Sequence, residues 1–227
     1  MSAKLTWLGH AAFKLETEGY QILIDPFLRN NPMAAASAEE VEADYILVTH
    51  GHGDHIGDTV EIAKRTNATV ISNAEISGWL SKQGVTTHAQ HIGGGYNHPF
   101  GYLKLTLALH GSALPDGSYG GNPTGFLLTT LNNERVYFAG DTGLFGDMAL
   151  IGEEHVDLAV LPIGDNFTMG PDDALRAVKL LKPKFVIPFH FNTWEVIGQD
   201  PNKWIEIVNR ETQTKGILLT PGETFDI

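Results

Sequence analysis

The chain has 227 residues, 42% hydrophobic and 19% charged, the balance of a globular protein rather than a disordered one, and its length calls for one domain over residues 1–227. Lys and Arg number 15 against 27 Asp and Glu, a net charge of −12, which argues against nucleic acid and anionic membrane surfaces as partners. Cysteine is absent, so disulfides and thiolate ligands are excluded and any metal must be held by His, Asp or Glu.

The N-terminus, Met1-Ser2-Ala3-Lys4-Leu5-Thr6-Trp7, lacks the apolar run of a signal peptide, and no stretch approaches the length of a membrane span; a soluble, cytoplasmic protein is expected. Residues 4–8, 12–16 and 20–24 are short apolar segments parted by Gly9-His10 and Glu18-Gly19, and read as an antiparallel meander. The third stops at Asp25-Pro26, which leaves Asp25 at a strand's end. Residues 28–43 have no clear period and read as a loop with one helical turn at most.

Tyr45-Ile46-Leu47-Val48 reads as a buried strand. Directly behind it comes Thr49-His50-Gly51-His52-Gly53-Asp54-His55, three imidazoles and a carboxylate within six positions. Gly51 and Gly53 suit a loop that bends sharply to aim its neighbours at one point. Residues 59–65 and 74–82 read as helices around a strand at 68–71, a β-α-β-α order. Residues 102–109 alternate as a strand toward His110, and the glycine-rich stretch 111–125 reads as a loop bordering a substrate pocket. A hairpin is expected over 125–131 and 135–140, ending at Asp141. There follow a short helix at 145–151, a strand at 157–162, a helix at 171–181 opened by Pro171, Asp172 and Asp173, a strand at 184–189 ahead of His190, a helix at 201–210 and a last strand at 216–219.

Strand ends thus deliver the His50 cluster, His110, Asp141 and His190. Five histidines and two aspartates exceed the three protein ligands of one catalytic zinc. They suit two metals sharing a carboxylate, for which Asp141 is the candidate. His88, His91, His98 and His155 match no such position and read as surface or loop histidines. Ser112, beside His110, is a candidate for touching substrate. It has no free His/Asp pair to activate it as a nucleophile. Phe167, Thr168, Met169 and Asn192-Thr193-Trp194 flank strand ends and are candidate pocket walls.

Trp7-Leu8-Gly9-His10-Ala11, Ile24-Asp25-Pro26-Phe27, the His50 cluster, His110-Gly111-Ser112, Gly140-Asp141-Thr142-Gly143, Leu161-Pro162-Ile163-Gly164 and Pro188-Phe189-His190 together resemble the metallo-β-lactamase superfamily. Within it they are most similar to small metal-dependent hydrolases of the L-ascorbate-6-phosphate lactonase type. The resemblance implies an α/β fold, a four-layer αββα sandwich of two mixed sheets flanked by helices. It implies His50, His52 and His110 at one metal, Asp54, His55 and His190 at a second, and Asp141 between them, with His10 and Asp25 nearby.

The expected cofactors are two divalent metal ions, zinc first, with manganese, nickel and iron also compatible with the donor set. The expected activity is hydrolysis of a small ester, lactone or phosphate-bearing metabolite by a metal-activated hydroxide, with Asp54 as its catalytic carboxylate. The same centre would serve a phosphodiesterase or RNA nuclease, an iron-based redox activity, or a non-catalytic metal-binding scaffold. The expected partner is a small-molecule substrate, and whether the chain is a homo-oligomer is left open.

Overall fold

Successive side chains of the second and third strands enter two different cores, and that alternation sets the layers. In the computed structural model, which describes residues 2–227, Phe13, Leu15, Ile22 and Ile24 point into the main core while their neighbours Ala12 and Leu23 point to the opposite face. Each large side chain so buried contributes roughly 1.5–3 kcal/mol. Strands β1 (Lys4–Gly9), β2 (Ala12–Thr17) and β3 (Tyr20–Ile24) form the expected meander, followed by β4 (Tyr45–Leu47), β5 (Thr69–Ser72) and β6 (Thr87–Ala89). The second sheet takes β7 (Gly95–His98), β8 (Gly101–Leu107), β9 (Thr124–Thr130), β10 (Arg135–Phe138), β11 (Leu158–Pro162), β12 (Phe185–Phe189) and β13 (Lys215–Gly216), and β14 (Thr224–Asp226) returns to the first.

The sheet orders are β14-β1-β2-β3-β4-β5-β6 and β7-β8-β9-β10-β11-β12-β13. Both repeat one plan. The first four strands of each order pair antiparallel, and every later pairing is parallel. Parallel neighbours need crossover connections; β3 reaches β4 through a segment without a helix, and the others are supplied by α1 (Gly53–Ile56), α2 (Thr59–Thr66), α3 (Ala74–Ser81), α4 (Met148–Gly152), α5 (Pro171–Leu181) and α6 (Pro201–Glu211). Ile62 and Ala63 of α2 and Ile76 and Leu80 of α3 pack on Leu23, Ile46 and Val70 outside the first sheet. Helices α5 and α6 cover the parallel half of the second through Ala177, Val178, Trp204 and Val208. This is the αββα sandwich of two mixed sheets.

Several local expectations are corrected. Residues 28–43 hold turns and bends but no helix. The strand expected at 216–219 is confined to Lys215–Gly216, and the last strand is instead β14. Strands β6, β7 and β14 escape the sequence pattern because they are short or exposed edge segments with little apolar alternation. Gly51 and Gly53 do not bend the chain through positive φ. Gly53 opens α1, and Gly51 is small because a Cβ there would sit 3.0 Å from the Ala113 carbonyl oxygen.

His98 is also corrected, from a surface histidine to a buried one, 8% exposed. It stacks on Phe100 with centroids 5.0 Å apart, contacts His88 and Tyr96, and bonds Gln90 Oε1 at 2.9 Å. This ring cluster joins β6 to β7, edge strands of different sheets, at the Tyr45 end of β4, opposite His50. Burial, then the nearby His88, push the His98 pKa from 6.5 down to about 4. The unfolded chain therefore binds the proton more readily between these values, and stability is lost as pH falls from 6.5 toward 4. Comparing urea unfolding of metal-free wild type and His98→Gln at pH 7 and pH 4.5 should show a pH-dependent loss smaller by about 2 kcal/mol in the variant. Equal losses in both proteins would remove His98 as the titrating group.

Candidate metal centre

Strand β4 carries the chain into Thr49 and His50, and the Asp25 carboxylate at the end of β3 fixes both. Asp25 Oδ1 accepts the Thr49 N–H at 2.8 Å; Oδ2 accepts the Thr49 hydroxyl at 2.6 Å and His55 Nδ1 at 2.7 Å. A carboxylate only accepts, so Thr49 Oγ1 and His55 Nδ1 carry the hydrogens. The Thr49 hydroxyl, its hydrogen committed, accepts from His50 Nδ1 at 3.0 Å. Both imidazoles thus turn Nε2 toward the centre, an orientation that metal-binding histidines need and that an oxygen partner behind them supplies.

The structure brings together all seven residues of the sequence-derived ligand set. His50 Nε2 lies 3.0 Å from His52 Nδ1, which lies 3.2 Å from His110 Nε2. Asp54, His55 and His190 form a second group, joined by His10. Asp141 faces both: Oδ2 is 3.1 Å from His190 Nε2 and 3.6 Å from His110 Nε2, while Oδ1 is 3.3 Å from His55 Nε2. Each group spans the sandwich, with His50, His52, Asp54 and His55 supplied from the first sheet and His110, Asp141 and His190 from the second.

His10, Asp25 and His190 each follow directly on a strand and have φ of 54°, 45° and 57°. Such left-handed conformations are uncommon for these residue types and cluster where a fold over-determines them for function. At Gly140, φ is 62° and a Cβ would meet the Thr124 carbonyl oxygen at 2.8 Å, so glycine lets the chain ahead of Asp141 close onto Thr49. His10 is fully buried. Its Nε2 lies 3.2 Å from Asp54 Oδ2 and its Nδ1 2.8 Å from Thr193 Oγ1, so an Nε2–H donating to Asp54, with Nδ1 accepting from the threonine, satisfies both contacts.

Burial depresses the His50 and His110 pKa values, and it pushes His10 down to about 4, leaving neutral imidazoles. Burial acts the same way on His55 and His190, but the carboxylates around them together outweigh it, Asp141 with Asp25 holding His55 well above the usual range and Asp141 with Asp54 holding His190 at about 9. Burial would raise Asp141 and Asp54. The His190 and His55 charges instead hold Asp141 low, while hydrogen bonding from His10, together with His190 in an ion pair at 3.8 Å and the His55 charge, holds Asp54 low. Among the buried groups, His55 Nε2, Asp141 Oδ1 and His190 Nε2 have no hydrogen-bond partner. Converging imidazole and carboxylate atoms left unpaired in a dry site fit divalent metal ions.

The centre opens into a cavity of about 590 Å³ walled by His52, Gly53, Asp54, His110, Asp141, His190, Phe167, Trp194 and Val196. Residues 111–125 do not line it, contrary to the expectation from their glycine content. Ser112 instead accepts the Gly51 N–H at 3.0 Å and donates to the Gly120 carbonyl at 2.9 Å, fixing the backbone between His50 and His52. His88 is half-buried in the ring cluster at the far end, and His91 and His155 are exposed. Sequence reading missed Val196, since nothing in its spacing marks it.

The sequence matches the model of the beta-lactamase superfamily domain over residues 4–190. A UPF0173 metal-dependent hydrolase of Desulforamulus reducens is 52% identical over 229 residues, covering 99% of this chain and 100% of that one. The chain belongs to the beta-lactamase superfamily, in its UPF0173 group of metal-dependent hydrolases. Another member of the group, from Bacillus cereus strain B4264, is 50% identical over 230 residues, with 99% and 100% covered. Among solved structures, the metallo hydrolase Igni18 of the archaeon Ignicoccus hospitalis aligns over 100% of both chains with 38% identity and a TM-score of 0.91. As a UPF0173 family member, the chain is a metal-dependent hydrolase with its His/Asp groups in place to bind metal.

Asp25 acts on the centre only through Thr49 and His55. Asp25→Asn cannot accept from both at Oδ2, and zinc affinity should fall about 10–100-fold in competition with a chromophoric chelator. Unchanged affinity in a folded variant would show that Asp25 does not orient the ligands.

Proposed function

We propose that this chain hydrolyses a small ester or lactone at two divalent ions, zinc first, the first held by His50, His52 and His110 and the second by Asp54, His55 and His190. The observation that carries the reading is Asp141, whose two oxygens face donors of both groups from a buried position. A carboxylate so placed is suited to bridging. When bound by these residues, two such ions would lower the pKa of a bound water toward neutrality and polarise a scissile carbonyl. The lactone in this reading comes from the likeness to L-ascorbate-6-phosphate lactonase in the motifs from His10 to His190.

The chain's own residues supply position and proton handling. His10 donates to Asp54 Oδ2 and keeps that carboxylate ionised and turned to the cavity, with Oδ1 left to accept a hydrogen from the attacking water. The water oxygen adds to the carbonyl carbon, the bond to the alcohol oxygen breaks, and Asp54 passes the proton to that leaving oxygen. Carboxylic acid and alcohol are the products. A phosphodiesterase or RNA nuclease on this centre is the weaker reading, because a net charge of −12 opposes a polyanion and no Lys or Arg lines the cavity.

Metal analysis should find two divalent ions per chain. Their removal with dipicolinate should abolish hydrolysis of aryl acetates, and zinc, manganese or nickel should restore it. Asp54→Asn should lower kcat by about 10²–10⁴-fold. Full activity with one ion per chain, or activity indifferent to the chelator, would defeat the proposal.

A further inference from the structure

Three large apolar side chains stand in water around the metal-type residues: Phe167, Trp194 and Val196 are 55%, 39% and 56% exposed and all face the same cavity. Apolar surface gathered at one spot, outside the core, marks a place where something apolar binds. The segments that carry these residues are held in shape. Asp165 and Asn166 are both left-handed, Asp165 N–H bonds the Met169 carbonyl at 3.1 Å, and Met169 N–H bonds the Thr142 carbonyl at 2.9 Å, next to Asp141. Phe167 is the tip of that closed loop. Trp194 packs against His10 at 4.8 Å and Phe27 at 6.4 Å, and the Asn192 N–H to Ile197 carbonyl bond at 2.9 Å closes its loop. The walls are therefore built before any ligand arrives.

The rest of the lining consists of Gly53 and members of the ligand set, with no lysine or arginine. A phosphate or carboxylate on a substrate, remote from the scissile bond, calls for a guanidinium or ammonium to meet it. Here it would meet two aromatic rings and a valine. We infer that the substrate is a neutral molecule whose hydrolysable carbonyl sits at the metal centre and whose acyl or alcohol substituent is apolar, aromatic or branched aliphatic, seated between Phe167, Trp194 and Val196. This rests on the hydrolytic reading above and narrows its ester or lactone to an uncharged one with an apolar substituent, setting aside the phosphate-bearing metabolites expected from the sequence. The bond chemistry is unchanged: water adds at the carbonyl carbon and the alcohol leaves with a proton.

Three hydroxamic acids share one metal-chelating head and differ in the tail: acetohydroxamic, phenylacetohydroxamic and phosphonoacetohydroxamic acid. Calorimetric titration of the zinc-loaded protein should find the phenyl tail at least about tenfold tighter than the methyl and the phosphono tail no tighter than the methyl. Phe167→Ala should reduce the phenyl-to-methyl ratio to about threefold or less, and Phe167→Leu should recover most of it. A phosphono tail that binds tightest, or a phenyl tail without advantage, overturns the inference. So does a chain that sediments as a dimer dissociated by Phe167→Ala, since the rim then covers a second copy. If none of the three acids binds, or binding is the same without zinc, the metal-centre reading itself fails, a result distinct from the loss of the tail preference alone.

Discussion

The geometry of the centre depends on one buried carboxylate that does not line the cavity onto which the centre opens. Asp25 accepts three hydrogen bonds, one from the backbone N–H of Thr49, one from its hydroxyl and one from His55. A backbone amide and a hydroxyl from the start of the His50 cluster, and an imidazole from its end, are thereby tied to one side chain of β3. Free of that tie, the cluster is a loop followed by a one-turn helix, Gly53–Ile56, with no side-chain cap and too short to hold itself. Thr49 carries the constraint across the sandwich as well, since its carbonyl accepts the N–H of Thr124 at 3.0 Å and its hydroxyl at 3.1 Å, at the start of β9. Residues outside the candidate ligand set thus set the angle at which His50 and His55 present Nε2 to the centre.

The repeated plan of the two sheets explains why the ligands converge. In both orders the fourth strand, β3 or β10, leads within a few residues to an aspartate, Asp25 or Asp141, and both stand at the same end of the sandwich. One has become a support and the other faces the centre with both oxygens. His110 and His190 likewise come from the second sheet to meet His50, His52, Asp54 and His55 from the first. Metal bound there would clamp the two sheets at one end, as the His88, Tyr96, His98 and Phe100 rings hold them at the other. Binding energy at such a site is folding energy too.

Much of this was legible in the chain because the strongest signals are local. The β-type runs, Pro171 at the head of α5, and the His-x-His-x-Asp-His spacing each follow from a few adjacent residues. The edge strands β6, β7 and β14 were not, since their identity lies in the neighbour they pair with rather than in their own pattern. The strained backbone at His10, Asp25 and His190 was hidden for the same reason: tertiary contacts impose it on residue types that do not advertise it. Glycine content misled in one place. Residues 111–125 pack closely on Gly51 and fix it through Ser112, so their small side chains serve backbone proximity, not a substrate.

That correction separates chemistry from selectivity in the fold. The candidate ligands follow strand ends and are tied by buried hydrogen bonds, whereas Phe167, Trp194 and Val196 ride on the two loops that leave β11 and β12. These loops are tied to the centre at few points, through Thr142 beside Asp141 and through Thr193 to His10. Phe167 and Val196 therefore shape the cavity without contacting the side chains that hold the ligand set in place. Trp194 is different, because its ring also packs on His10, which bonds Asp54. At that position the wall of the cavity and the Asp54 carboxylate are joined through a single imidazole.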